Sequence, residues 1–161
     1  MRLQTAVQDW AQAIEHLGVA KALKASFVAY PLVNAAHILA IGALVTSVIL
    51  MDLRLLGGLS DLPERTFVRR LRAIALGAFA VAAGTGVAMF TVRASDYAAT
   101  PLYWAKMTLI LLAGVNFLVF SLLDRQRKPG AALPWPARLS AALSIVLWPC
   151  ILVAGRFLGF V

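Results

Sequence analysis

The chain has 161 residues and a formal net charge of +8; 61% of its residues are hydrophobic and 14% are charged. An average soluble domain carries about a quarter charged residues. This composition, with a mean hydropathy of +0.84, therefore excludes an ordinary soluble domain and indicates a membrane protein. Because the arginines flank apolar blocks, the positive charge does not indicate nucleic-acid binding.

Residues 1–26 are predicted to form an amphipathic helix and a short lead-in to the first apolar block. They lack the continuous apolar stretch and cleavage site of a secretory signal peptide, so that block is expected to act as an uncleaved insertion signal. The helix is expected to lie along the membrane surface or across the mouth of the bundle, and to end at Gly18. Its apolar positions recur at spacings of four and three: Leu3, Val7, Trp10, Ile14 and Leu17.

Residues 27–161 are predicted to form a transmembrane domain. Crossing about 30 Å of hydrocarbon takes about 20 helical residues, and backbone groups in lipid must be satisfied within the segment. The predicted fold is all-α: a polytopic membrane protein whose antiparallel four-helix transmembrane bundle follows an amphipathic surface helix. Its four apolar blocks span about 27–51, 71–92, 102–123 and 138–160.

Lysine and arginine counts predict how the chain is oriented. Loops one and three, on one side of the membrane, hold Arg54, Arg65, Arg69, Arg70, Arg72, Arg125, Arg127, Lys128 and Arg138. The other side, with both termini, holds Arg2, Lys21, Lys24, Arg93, Lys106 and Arg156. The positive-inside rule places the richer side in the cytoplasm. We therefore expect a multi-pass protein of the bacterial inner membrane with both termini in the periplasm.

Polar side chains are predicted to meet in the outer half of the bundle, forming a pocket that opens to the non-cytoplasmic side. An ionisable group at membrane depth is costly and tends to mark a site. Arg93, at the end of the second helix, is interpreted as an interfacial anchor. The candidate site residues are Tyr30, Asn34 and His37, which share one face of the first helix, Tyr103 and Lys106 on the third, and Arg156 on the fourth.

Several ligands suit this set of residues. His37 is the candidate metal ligand, for haem iron, copper or zinc, while Lys106 and Arg156 suit haem propionates or another anion. A set of tyrosine, asparagine and histidine side chains also suits the carbonyl oxygens of a quinone. The structural alternative is that His37 and Asn34 form hydrogen bonds to neighbouring helices and bind nothing.

A second polar set is predicted at the inner end of the bundle. Asp52 is expected to pair with an arginine and fix the loop there. Asn116 is expected to form a hydrogen bond to Thr46, Ser47 or Ser144. Both are interpreted as architectural features.

Four segments carry a resemblance to a known family: YPLVNAAHILAIG (30–42), DLRLLG (52–57), KMTLILLAGVNFLVF (106–120) and AGRFLG (154–159). In this order they resemble a family of small bacterial four-helix membrane proteins of unknown function, over nearly the whole chain from Trp10. One histidine in the first helix and one lysine opening the third are also distantly similar to copper-resistance D-type proteins and to haem-linked J-type protoporphyrinogen oxidases. That similarity implies His37 as the ligand and Lys106 as its positively charged companion.

One departure from the family limits the ligand set. A histidine often follows the Asn-to-Phe stretch of the third helix in that family, and here the position is Ser121. His16 lies in the surface helix, so a haem held by two bundle histidines is excluded. A five-coordinate haem, or one completed by a residue such as Met89 or Met107, remains open.

The resulting prediction is a redox-associated membrane protein that binds haem b at His37, with copper or a quinone as less favoured ligands. The alternative is a non-enzymatic structural or accessory subunit without a cofactor. The protein would contact the lipid bilayer and either form a homo-oligomer or join a larger membrane complex. A small transporter is less favoured, because the sequence has no half-helices or inverted repeat. Whether the protein is an enzyme is left open.

Overall fold

The computed structural model describes residues 2–127 and 131–160, with side chains from residue 7 onward. Lys128 and the side chains of Arg2 and Leu3, used in the predictions above, lie outside that description. The all-α prediction is confirmed, because these residues form helices and no strand. The helices are α1 (Arg2–Glu15), α2 (Gly18–Ala25), α3 (Ala29–Leu55), α4 (Glu64–Val92), α5 (Ala94–Ala99), α6 (Pro101–Arg125) and α7 (Trp135–Phe157).

Four of these helices, α3, α4, α6 and α7, are long and apolar enough to cross a membrane. Their most apolar stretches have mean hydropathies of 1.9 to 2.0, so the predicted transmembrane bundle is confirmed. α4 begins seven residues before the predicted start of its span, at Glu64. Its first turns carry the exposed Arg65, Arg69 and Arg70, and they extend the helix beyond its apolar section. Hydropathy locates the apolar section of a helix but not its charged continuation.

The four spanning helices pack in the order α4, α3, α7, α6. α3 and α7 are central: 44% and 39% of their apolar stretches are buried, against 11% for α4 and for α6. Among the described residues, the Cα atoms of α4 and α6 do not approach within 8 Å of each other. These two helices therefore lie at the open sides of the bundle, and only side chains connect them.

Side chains connect α4 and α6 at both ends of the bundle. At one end Phe90 stacks on Tyr103 with ring centroids 5.3 Å apart. At the other end Arg72 Nη2 lies 3.1 Å from Asp124 Oδ2. We call the first end, which also carries α1, α2 and α5, the N-terminal end. We call the second the arginine-rich end, defined by Arg65, Arg69, Arg70, Arg72 and Arg127.

The small residues of α4 lie on two faces with different surroundings. Ala75 and Ala82 are buried, and Ala75 packs with Leu44 and Val48 of α3. The other stripe, which the sequence marks as a close-packing surface, consists of Ala73, Gly77, Ala80, Gly84 and Ala88. Its first four members are exposed, and a Cβ added at Gly77 or Gly84 would meet nothing within 4 Å. That stripe faces away from the bundle.

The N-terminal helix α1 lies across the end of the bundle, against the short helix α5. Ala11 is fully buried there in an apolar cluster with Ala94 and Ala98. This corresponds to the second of the two placements predicted for the amphipathic helix. Val7, Trp10 and Leu17, which the sequence groups on its apolar face, remain 37%, 53% and 51% exposed. Trp10 nevertheless meets the Phe90 ring of α4 with centroids 6.1 Å apart, and Ile14 packs on the buried cluster, so the protein covers that face only in part.

Glu15 fixes α1 to α5 and to α2. Its Oε1 accepts a hydrogen bond from the backbone N–H of Ser95 at 2.9 Å, and its Oε2 lies 2.9 Å from Lys24 Nζ. The Ser95 hydrogen bond and the Lys24 ammonium lower the pKa of Glu15 from 4.5 to about 2, because both favour the ionised carboxylate. The docking of α1 therefore depends on the charge of this side chain.

Candidate functional site

His37 lies eight residues into α3, about 12 Å from the start of the helix, and its imidazole faces α4. Its Nδ1 is 2.9 Å from Thr85 Oγ1. The Thr85 hydroxyl lies 2.6 Å from the Val81 carbonyl oxygen of its own helix, and that carbonyl can only accept a hydrogen bond. The single hydroxyl proton is therefore directed at Val81, and Thr85 accepts its other hydrogen bond from Nδ1–H of His37.

This arrangement selects the tautomer of His37. With the proton on Nδ1, a neutral imidazole carries its free lone pair on Nε2. Within residues 2–127 and 131–160, Nε2 has no hydrogen-bond partner. Histidines that bind metals in proteins commonly donate the other ring N–H to an oxygen acceptor in this way. The His37–Thr85 pair thus presents one oriented nitrogen ligand.

Gly86 leaves the space in which the His37 ring lies against α4. A Cβ atom at this position would lie 3.1 Å from Cε1 and 3.7 Å from Nδ1 of the imidazole. Such a contact is tighter than ordinary van der Waals packing, so a side chain here would displace the ring. The glycine allows the imidazole to lie directly on the backbone of α4, beside its hydrogen-bond partner Thr85.

Lys106 lies on α6 and contacts α7, much as His37 on α3 contacts α4. Its side chain is half-buried, and its Cε and Nζ lie 3.4 Å from the position of a Cβ on Gly155 of α7. His37 and Lys106 both lie towards the N-terminal end of the bundle, each beside a glycine of the neighbouring helix: His37 against Gly86 of α4 and Lys106 against Gly155 of α7.

Tyr103 belongs to an aromatic cluster at the N-terminal end and has no contact with His37 among those described. It stacks on Phe90 at 5.3 Å and on Tyr97 at 5.6 Å, and Trp104 meets its edge at 5.5 Å. Tyr97, on α5, has a raised pKa because it is partly buried and lies near Tyr30. Tyr103 therefore packs among aromatic side chains at the N-terminal end, and no described contact joins it to the imidazole.

The remaining predicted site residues lie further from the centre. Tyr30 and Asn34 are half-buried on the first two turns of α3, about two turns and one turn, respectively, nearer the N-terminal end than His37. Arg156 is exposed, with its guanidinium carbon 4.6 Å from the centre of the Phe160 ring. Among the described contacts it is not brought to His37. Arg93 is exposed and pairs with Asp96 at 2.8 Å, as expected of a surface anchor.

Sequence reasoning missed Thr85, Gly86 and Gly155. A signal for Thr85 was present in the antiparallel arrangement of α3 and α4. In such a pair, moving towards the start of α3 means moving towards the end of α4. Because Ala75 packs on Leu44 and Val48, the earlier residue His37 is expected to face α4 near residue 85. The importance of the two glycines had no such signal, since glycines recur throughout the spanning helices.

The second polar set differs from its prediction. Asp52 is buried at 2% exposure and, among the described residues, makes no ion pair; its Oδ2 has no hydrogen-bond partner there. The arginine of the neighbouring helix, Arg72, pairs with Asp124 instead. Asn116 contacts Ser140 and none of its three predicted partners: Asn116 Nδ2 donates to the Ser140 carbonyl at 3.0 Å, and Ser140 Oγ donates to Asn116 Oδ1 at 2.8 Å.

Comparisons with known proteins locate the chain in a family without assigning a site. A model described as a family of unknown function (DUF6644) matches residues 8–161. No curated protein and no solved structure matches the chain. The distant similarity to copper-resistance D-type proteins and J-type protoporphyrinogen oxidases therefore stays a prediction, based on one histidine and one lysine.

Proposed function

The chain belongs to this family of unknown function, DUF6644, and on that premise we propose that it is a redox-associated membrane protein that binds haem b through His37. The observation that carries the proposal is the hydrogen bond from His37 Nδ1 to Thr85, because it leaves Nε2 as a free and oriented ligand.

Haem fits the available ligands better than bare copper does. The chain has only two histidines and one cysteine, and His16 is exposed at the end of α1, away from the bundle. Within the described residues no three metal-binding side chains lie together. A porphyrin supplies the four equatorial nitrogens itself, so a single histidine suffices for a five-coordinate iron.

Each residue around the site has a role in this proposal. His37 would ligate the iron through Nε2, and Thr85 would hold the imidazole in the required tautomer and orientation. Lys106 would provide a positive charge for a haem propionate. Haem b, when bound, supplies one-electron chemistry. The thioethers of Met89 and Met107, both half-buried, would be the candidates for a second protein ligand.

The location proposed for the protein is the bacterial inner membrane, with both termini in the periplasm. The arginine-rich end would then lie in the cytoplasm and the His37 layer near the periplasmic side. This orientation is supported by the uneven distribution of lysine and arginine between the two ends. A quinone close to Tyr30 and Asn34 would be a suitable electron partner.

The alternative function is a non-enzymatic accessory subunit in which His37 only joins two helices. It is favoured by the same hydrogen bond, since His37–Thr85 connects α3 to α4 as a purely structural contact would. In that case the protein should co-purify in stoichiometric amount with a larger membrane protein.

An absorbance spectrum, recorded oxidised and after dithionite reduction, separates the two functions. The protein should be purified gently from membranes of haem-replete cells. Near-stoichiometric haem that is lost in His37→Ala and retained in His16→Ala would support the proposal. A flat spectrum from folded wild-type protein, or full haem in His37→Ala, would refute the assignment.

A further inference from the structure

A cavity of about 340 Å³ lies at the arginine-rich end, between the start of α4 and the end of α6. His37 lies near the opposite end of the bundle, so the proposed haem site does not account for this cavity. Its charged lining has four arginines against two carboxylates: Arg65, Arg69, Arg72 and Arg127 with Glu64 and Asp124.

The two carboxylates of the cavity are already engaged by two of the arginines. Glu64 Oε1 accepts a short hydrogen bond from Arg127 Nη2. Asp124 Oδ2 lies 3.1 Å from Arg72 Nη2, and its Oδ1 lies 3.5 Å from Arg127 Nε. These contacts fix the positions of Arg72 and Arg127, and they neutralise the two carboxylates of the lining.

Cationic donors remain after these pairs are formed. Within residues 2–127 and 131–160, Arg65 and Arg69 are exposed and make no ion pair. Their guanidinium groups are therefore free to form charge-assisted hydrogen bonds to an anion in the cavity. Arg65, Arg69 and Arg72 are spaced i, i+4 and i+7 on α4 and therefore share one face.

The depth of the cavity corresponds to the head-group region of a bilayer. Arg65 to Arg72 occupy the first turns of α4, and the uncharged apolar section of the helix begins directly after them. The first backbone N–H groups of α4 lie at the same end and favour an anion there. An anionic group bound to these arginines would thus sit at the boundary between polar and apolar surroundings.

We propose that this cavity binds the phosphate of an anionic phospholipid head group. A lipid is favoured over a soluble phosphate because the arginines lie where the apolar section of α4 begins, at the depth of a lipid head group. Basic pockets between transmembrane helices are suited to anionic head groups.

Native mass spectrometry of the full chain, released from detergent containing defined lipids, tests the proposal. We expect one retained phosphatidylglycerol per chain, held at least about tenfold more tightly than phosphatidylcholine. The variant Arg65→Gln/Arg69→Gln should lose roughly tenfold or more of that affinity. The matched control, Arg70→Gln/Arg138→Gln, removes two exposed arginines of the same end that do not line the cavity, and it should stay within about twofold.

Four outcomes would overturn the proposal. They are no retained phosphatidylglycerol on the wild-type chain, equal retention of phosphatidylcholine, equal losses in the two double variants, and displacement of the lipid by millimolar glycerol phosphate. The last would reassign the site to a soluble phosphate compound. The measurements on the wild-type chain support or overturn the proposed lipid site on their own, even if the Arg65→Gln/Arg69→Gln variant does not fold.

Discussion

The hydroxyl of Thr85 accepts a hydrogen bond from His37 Nδ1 while donating its own proton to the Val81 carbonyl. A residue of α4 thereby determines which nitrogen of a residue on α3 is free. The Ala82 carbonyl oxygen lies 3.2 Å from the same hydroxyl and is a second acceptor for its proton. The Thr85 proton is therefore directed into its own helix, and the hydroxyl oxygen faces Nδ1–H of His37.

Replacing Thr85 by valine should weaken haem binding without unfolding the bundle. Valine keeps the shape but removes the acceptor, and losing such a partner of a ligating histidine typically costs 10- to 100-fold in affinity. The loss of one interhelical hydrogen bond should reduce stability by only about 0.6 kcal/mol. Haem titration and thermal unfolding measure the two effects. The control is Thr46→Val, at an exposed position of α3. The prediction would be contradicted if Thr85→Val bound haem with the affinity of the wild-type protein.

Replacing Gly86 by alanine should destabilise the protein by about 1–3 kcal/mol, because the added Cβ would lie 3.1 Å from the imidazole of His37. Gly77→Ala is the matched control on the same helix, since a Cβ there meets nothing within 4 Å. That control should be neutral or more stable by up to about 1 kcal/mol, because alanine favours a helix. Thermal unfolding in detergent compares the two variants, and equal effects would show that the ring does not lie against α4.

The docking of α1 should weaken in acid. The pKa of Glu15 is lowered in the folded protein, so its contribution is fully present above about pH 4.5 and is lost as the pH falls towards about 2. Hydrogen-exchange protection of residues 8–15, corrected for intrinsic rates, should therefore be high at about pH 6 and lower at about pH 3.

The variant Glu15→Gln isolates the charge of that side chain. Protection of α1 should be low at both pH values, because the amide keeps the size of the carboxylate but lacks its attraction for Lys24. Asp9→Asn changes an exposed acidic residue of the same helix and should behave like the wild-type protein. Retention of the full pH dependence in Glu15→Gln would assign it to another group.

Replacing Asn116 by leucine should destabilise the α6–α7 contact by about 1 kcal/mol, because it removes the paired hydrogen bonds with Ser140. Thr108→Val on the same helix is the control, since the Thr108 hydroxyl only bonds to the Trp104 carbonyl one turn earlier. Thermal unfolding in detergent should separate the two variants. An Asn116→Leu protein as stable as Thr108→Val would indicate that the amide pair contributes nothing.

The spanning helices were predictable because each must supply enough apolar length to cross the bilayer, which is a property of the sequence alone. The short helix α5 was not, because six residues between two spans carry no periodicity that distinguishes a helix from a loop. The start of α4 was missed for a related reason, since its arginines are helical but not apolar.

The depth of the candidate residues can be predicted from the sequence, but the direction in which they point cannot. Matching helix ends by length predicts His37 and Lys106 in one layer; in the structure His37 lies against Gly86 of α4 and Lys106 against Gly155 of α7, and a shared site stays a prediction. The same method also suggested Arg156, but helical rotation turns that side chain to the surface and directs Gly155 towards Lys106. Rotation about a helix axis depends on which face packs, and an apolar helix gives little indication of that face.

The separation of α4 and α6 has a mechanical consequence. α3 and α7 form the packed centre of the bundle, and α4 and α6 lie at its edges. Any movement of α4 away from α6 would have to break the contacts between their side chains: Phe90 with Tyr103 at one end, and Arg72 with Asp124 and Phe120 at the other. Because salt weakens the ion pair but not the apolar contacts, the arginine-rich end should be the part that responds to ionic strength.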